Sequence, residues 1–202
     1  MTTISSLSQQ NKNDEIRKYI DSLSKNIRYM FRAGLHTVAL DEEIRHVENY
    51  FEMQELKYPG CVFYYIEAPD ETRNWKIPQM FIHNVIENEY KYAVDVSKML
   101  TILIKAEIIE KDGERMLKLE IEDDGKGYPD DVVEAFVKGS TYDSNDGSRV
   151  GLWSIKRILE IMYERKDLFE IGNIEPHGCK STMYIPETPK HEVSERVRVN
   201  ID

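Results

Sequence analysis

Apolar residues recur between positions 11 and 33 as Ile16, Ile20, Leu23, Ile27 and Met30, at spacings of four, three, four and three. That is the stripe of a helix with a coiled-coil-like seam. A second helix is predicted from Asp41 to Leu56, with Ile44, Val47 and Phe51 on one face, an acidic first turn at Asp41 to Glu43, and Tyr58-Pro59-Gly60 as its stop. The pattern then changes to alternating strands and helices. Cys61 to Glu67 reads as a short strand, Pro78 to Ala93 as a helix, and Leu100 to Ile109 with Met116 to Ile121 as a hairpin about Asp112-Gly113. Asp130 to Val137 reads as a short helix and Lys138 to Arg149 as a Gly/Ser/Asp-rich loop. A helix with Leu152, Ile155, Ile158, Leu159 and Met162 on one face follows, then a strand pair at Phe169 to Ile174 and Cys179 to Ile185.

Three regions result: a helical segment over 1–58, an α/β unit over 59–186, and a charged, aperiodic tail over 187–202. The 202 residues, 41% of them hydrophobic, suffice for one substantial core. No apolar run approaches the roughly 18 to 20 residues of a membrane span, and Met1 to Gln10 is too polar for a signal peptide. A formal net charge of −10 disfavours a phosphate backbone as partner, so neither nucleic-acid binding nor membrane contact is expected. Cys61 and Cys179 lack metal-ligand spacing, which argues against a zinc site or disulfide framework and fits a reducing cytoplasm.

Three constellations carry chemistry. Asn84, Glu87, Asn88 and Lys91 occupy i, i+3, i+4 and i+7 of one predicted helix and share a face opposite Ile82, Val85, Ile86 and Ala93. Asn offers a hard oxygen for Mg²⁺, Glu a proton acceptor and Lys a charge for phosphate; a solvated helix face is the plainer reading. Asp123-Asp124-Gly125-Lys126-Gly127 ends an alternating strand, placing a carboxylate where two glycines let a ligand approach the backbone. It also reads as an ordinary acidic turn. Gly151 and Leu152 open a helix behind the loop, where free N–H groups favour phosphate, although such a glycine often only ends a loop.

The order of these segments gives them a common meaning. IPQMFIHNVIENEYKYAV, IEDDGKGYP and GSRVGLWSIKRIL resemble the N, G1 and G2 boxes of histidine kinase ATP-binding domains. HGCKSTMYIP is similar to the closing glycine and strand of that domain, and SLSKNIRYMFRAG with LDEEIRHVENYFEMQELKYPG resembles the segment that precedes it in LytS/YesM-like sensor histidine kinases. The resemblance implies a two-layer α/β sandwich, with a mixed, mostly antiparallel sheet backed by helices and preceded by remnants of a dimerisation helix pair. It implies ATP and Mg²⁺ as ligands, a response regulator as partner, a homodimer in the full-length kinase, and a soluble cytoplasmic domain of a membrane-anchored parent. Residue by residue, it implies Asn88 on Mg²⁺, Glu87 orienting or deprotonating the attacking His, and Asn84 and Lys91 on the phosphates. Asp123 would hold adenine, with Gly125 and Gly127 letting the base lie close. Residues 138–150 would form a lid, and Gly151 with Leu152 would open the lid-side helix.

Three features depart from the family pattern. Arg149 stands where the G2 box has its first glycine, and could obstruct the lid turn or reach a phosphate. Glu89 and Tyr92 stand where Ala and His are frequent. The Pro-His-Phe acceptor motif is absent from these residues, so they could not autophosphorylate alone; His36, His46, His83, His177 and His191 read as surface or packing residues. Two alternatives follow: a catalytically degenerate nucleotide-binding or interaction module, and an anti-sigma-type serine kinase, against which the Tyr29 to Gln54 likeness argues. The apolar stripe likewise has two readings, a dimer seam or an intramolecular pair between residues 16–30 and 44–51.

Overall fold

A computed structural model describes residues 3–31, 37–94, 97–139 and 150–190. It begins with helices α1 (Thr3–Gln9) and α2 (Asn13–Met30), a short strand β1 (Thr37–Ala39) and α3 (Leu40–Glu55). There follow β2 (Val62–Glu67), the one-turn α4 (Asp70–Arg73), β3 (Lys76–Pro78), α5 (Phe81–Tyr92), and a long hairpin of β4 (Leu100–Lys111) and β5 (Glu114–Asp123). Helices α6 (Asp130–Lys138) and α7 (Val150–Tyr163) and strands β6 (Phe169–Asn173) and β7 (Cys179–Pro186) complete it.

Five strands form the main sheet in the order β2-β4-β5-β7-β6, with β2 parallel to β4 and every other pair antiparallel. One face carries Ile102, Ile104, Ala106, Leu117, Leu119, Ile121, Met183 and Ile185, all buried in a core shared with α3, α5 and α7. The other face is held by ion pairs: Lys118 meets Glu107 at 3.2 Å and Glu120 at 3.0 Å, and Lys180 meets Glu120 at 2.5 Å and Glu122 at 2.9 Å. Alternation at period two therefore sorts apolar residues to the helices and charges to water. The result is the two-layer, mostly antiparallel α/β architecture that the sequence implies.

Several expectations need correction. Pro78 does not open a helix; it ends β3, paired with Thr37, and α5 starts only after Met80, whose φ of 70° is left-handed. Elements α1, α4, β1 and β3 went unanticipated because each is too short to show a period. The intramolecular pair of α2 with α3 forms, but not through the whole stripe: Leu23 packs against the core while Ile20, Ile27 and Met30 remain 45%, 45% and 51% exposed. Beside Leu23, α2 packs through Ser22, Asn26 and Tyr29, the Ser22 carbonyl accepting from Asn49 Nδ2 at 3.1 Å and Tyr29 stacking on His46 at 3.9 Å. Polar and aromatic pairing with α3 helps to set this face, which a search for apolar periodicity overlooks.

Candidate functional site

The hairpin delivers Asp123, 4% exposed, to the end of β5. Its Oδ1 accepts from the Gly125 backbone N–H at 2.7 Å, and its Oδ2 accepts from the Cys179 thiol on the neighbouring strand. Glu89 also hydrogen-bonds to Asp123, so a ligand donor would share this carboxylate with Gly125, Cys179 and Glu89. The loop after Asp123 is pinned at both ends: Asp124 Oδ1 accepts from Thr101 N at 2.7 Å, while Asn173 accepts from Tyr128 N at 2.6 Å and donates to Tyr128 O at 2.8 Å. A Cβ on Gly125 would lie 2.7 Å from Asp123 Oδ1 and 2.9 Å from Ala93 Cβ, so only glycine fits between carboxylate and helix. A cavity of about 360 Å³ opens here, with Asp123, Gly127, Asn88 and Leu152 among its lining residues.

Helix α5 forms another wall. Its apolar face, Ile82, Val85 and Ile86, is buried in the core, which turns Asn84 and Asn88 to half-buried positions and leaves Glu87 and Lys91 exposed. Of these four polar residues only Asn88 lines the cavity. Its Nδ2 is buried without a hydrogen-bond partner. Gly151, in the first turn of α7, faces it: a Cβ there would lie 3.4 Å from Asn88 Nδ2. Thus α7 begins against the carboxamide of α5, and Leu152, 3% exposed, closes the cavity beside it. Arg149 and residues 140–149 of the expected lid lie outside the described residues.

Asn88 and Asp123 line this cavity, and the segments that carry them match a known family. A family model described as histidine kinase-, DNA gyrase B-, and HSP90-like ATPase matches residues 77–189, more than half of the chain. The chain belongs to this ATPase family. A second model, histidine kinase, matches residues 1–62. An uncharacterized sensor-like histidine kinase of Staphylococcus epidermidis is 28% identical over 167 residues, 83% of this chain and 32% of that protein. The sensor protein kinase HptS of Staphylococcus aureus is 26% identical over 144 residues, 71% of this chain and 27% of that protein. The chain thus spans about a third or less of these curated relatives. Among solved structures, the catalytic domain of histidine kinase ThkA aligns with a TM-score of 0.57 at 19% identity, covering 78% of this chain and all of that one. The Acinetobacter baumannii histidine kinase AdeS aligns with a TM-score of 0.51 at 15% identity over 91% of this chain and 82% of its own. These structural likenesses bear on the fold. The chain therefore carries a domain of this ATPase family and is similar in sequence to sensor histidine kinases.

Sequence reasoning missed part of this ATPase-family pocket. Cys179, set aside as an isolated thiol, sits between Asp123 and Glu89, its sulfur 3.9 Å from Glu89 Oε1. Burial, then the Glu89 and Asp123 carboxylates, push the thiol pKa upward, so it stays a hydrogen-bond donor rather than a thiolate. Glu89, 5% exposed, is held well above the usual carboxylate range by burial first and by Asp123 second. Tyr128, another lining residue, shares a hydrogen bond of 3.0 Å with Ser181 across to β7. Strand register carries Cys179 opposite Asp123, a pairing that no local pattern announces.

Proposed function

We propose that this chain is the ATP-binding catalytic part of a two-component sensor histidine kinase, which transfers the γ-phosphate of ATP to a histidine outside residues 1–202 for relay to a response-regulator aspartate. The observation that carries this reading is one cavity joining a buried, glycine-flanked carboxylate at the end of β5 to an unpartnered carboxamide on α5. It supports a nucleotide site over a pure interaction module, which needs neither; over a module that only binds nucleotide, the kinase reading rests on the exposed Glu87 beside Asn88.

Asp123 would accept the exocyclic amino group of adenine, with Gly125 and Gly127 keeping the backbone within reach of the base. Asn88 would hold Mg²⁺ through its side-chain oxygen, leaving the buried Nδ2 to donate to a phosphate oxygen. When bound, the ion supplies neutralisation of charge on the phosphates. Asn84, Lys91, Gly151 and Leu152 complete the phosphate side, together with Arg149. Glu87 stands exposed one residue from Asn88, where an acceptor imidazole can arrive from solvent. As the imidazole nitrogen bonds to the γ-phosphorus and the bridging P–O bond breaks to release ADP, Glu87 orients the ring and takes the proton.

In the parent protein, residues 1–58 would act as the dimerisation and linker segment, 59–186 as the catalytic unit and 187–202 as a tail. Its exposed α2 stripe suits a homodimer, and the domain would face the cytoplasm. The test is phosphotransfer from ATP to a separately supplied acceptor segment by the Glu87→Gln variant. Transfer should fall by at least about a hundredfold while nucleotide still binds; undiminished transfer would remove Glu87 from its role.

A further inference from the structure

Helix α5 has no side-chain cap of its own: its N-cap is Met80, in left-handed backbone, with no polar group to offer. The open N–H groups are met from another helix. Glu43 of α3, fully buried, accepts from Met80 N at 3.1 Å through Oε2 and from His83 N at 3.3 Å through Oε1. The same Oε2 accepts from the Tyr29 hydroxyl near the end of α2. Gln79, just before α5, returns the contact by donating its Nε2 to the Tyr29 carbonyl at 2.5 Å. One carboxyl therefore ties α2, α3 and the start of α5 together, a turn or two from Asn84 and Asn88.

We propose that Glu43 is a positioning residue for the nucleotide site, anchoring the first turn of α5 and, through Tyr29, coupling the placement of α2 to the affinity of the site for Mg²⁺-ATP. The inference rests on the nucleotide reading given above. Glu43 accepts from Met80 N, His83 N and the Tyr29 hydroxyl, and since the Tyr29 oxygen can also accept, a protonated Glu43 keeps the anchor by donating to it. Burial, opposed by the donated bonds from Tyr29, Met80, His83 and Ile82, raises its pKa from 4.5 to about 7. The titratable groups around it are Tyr29 from α2, His83 from α5, and His46 and Tyr50 from α3 itself. The two histidines are pushed down by burial to about 4 and about 3, so neither adds a charge near neutrality.

The experiment uses the whole chain and two variants, Glu43→Ala, which removes the cap, and the milder Tyr29→Phe, which leaves the carboxyl in place. Binding of a non-hydrolysable ATP analogue with Mg²⁺ is measured from pH 6 to 8, beside amide hydrogen exchange at residues 80–84. Both variants should exchange faster there and bind about fivefold more weakly at pH 8, the effect of losing one helix cap. Glu43→Gln, which keeps a side-chain acceptor and cannot charge, should restore most of the affinity across pH 6 to 8, a rescue that a merely structural loss would not show. Unchanged exchange, or wild-type affinity in both variants at pH 8, overturns the role of Glu43. A wild-type chain that binds no nucleotide instead overturns the site reading and the coupling with it; faster exchange in the variants would then leave Glu43 as a helix anchor alone.

Discussion

Gly178 shows how tightly the nucleotide end of the cavity is built. Its φ of +114° is outside the range of L side chains, and a Cβ there would lie 2.0 Å from the Asp123 carbonyl oxygen. Gly178→Ala must therefore push β5 away from β7 at the point where Asp123 meets Cys179. The expected loss is at least about 2 kcal/mol in urea unfolding, with weaker nucleotide binding. A variant as stable as the wild type would mean that this close approach is not needed. The residues with chemical identity, Asn88, Asp123 and Gly151, were legible in the sequence because each sits at a fixed offset in its own segment. Cys179, Tyr128 and Asn173 were not, since their roles arise from strand register and loop pinning across 45 to 56 residues.

At the scale of elements, the contact between α3 and α5 concentrates buried ionisable groups whose pH dependences oppose one another. Glu43 has a folded value of about 7, above its ordinary 4.5, so its contribution to stability is full below 4.5 and is lost as pH rises through about 7. His46 and His83, at about 4 and about 3, lie below the ordinary 6.5; their contribution is full above 6.5 and is lost as pH falls through those values. Between pH 5 and 8 the Glu43→Gln variant should gain on the wild type by up to about 3 kcal/mol, read from urea midpoints, because it cannot charge. A constant difference would place Glu43's titration elsewhere. This interface also explains what patterning could not reach. Periodicity located both helices, but α5 begins three residues later than Pro78 suggested because its cap comes from Glu43, 37 residues upstream of Met80.

For the whole molecule, the sheet topology puts Asp123 and its Cys179 support on β5 and β7, and Asn88 faces Gly151 between α5 and α7; in the proposed kinase these would be the base and phosphate sides. The hairpin and the amphipathic helices were legible in the alternation, and the fold class in the resemblance of the three boxes. The packing face of α2 was legible only in part, because Ser22, Asn26 and Tyr29 join Leu23 of the apolar stripe in it. The most direct test is calorimetric titration of a non-hydrolysable ATP analogue with Mg²⁺ into the wild-type chain and into Asp123→Asn. Saturable binding by the wild type, weakened in the variant by about 1.5 to 3 kcal/mol or roughly ten- to hundredfold, is the predicted result; no binding by the wild type, or equal binding by both, would contradict the account.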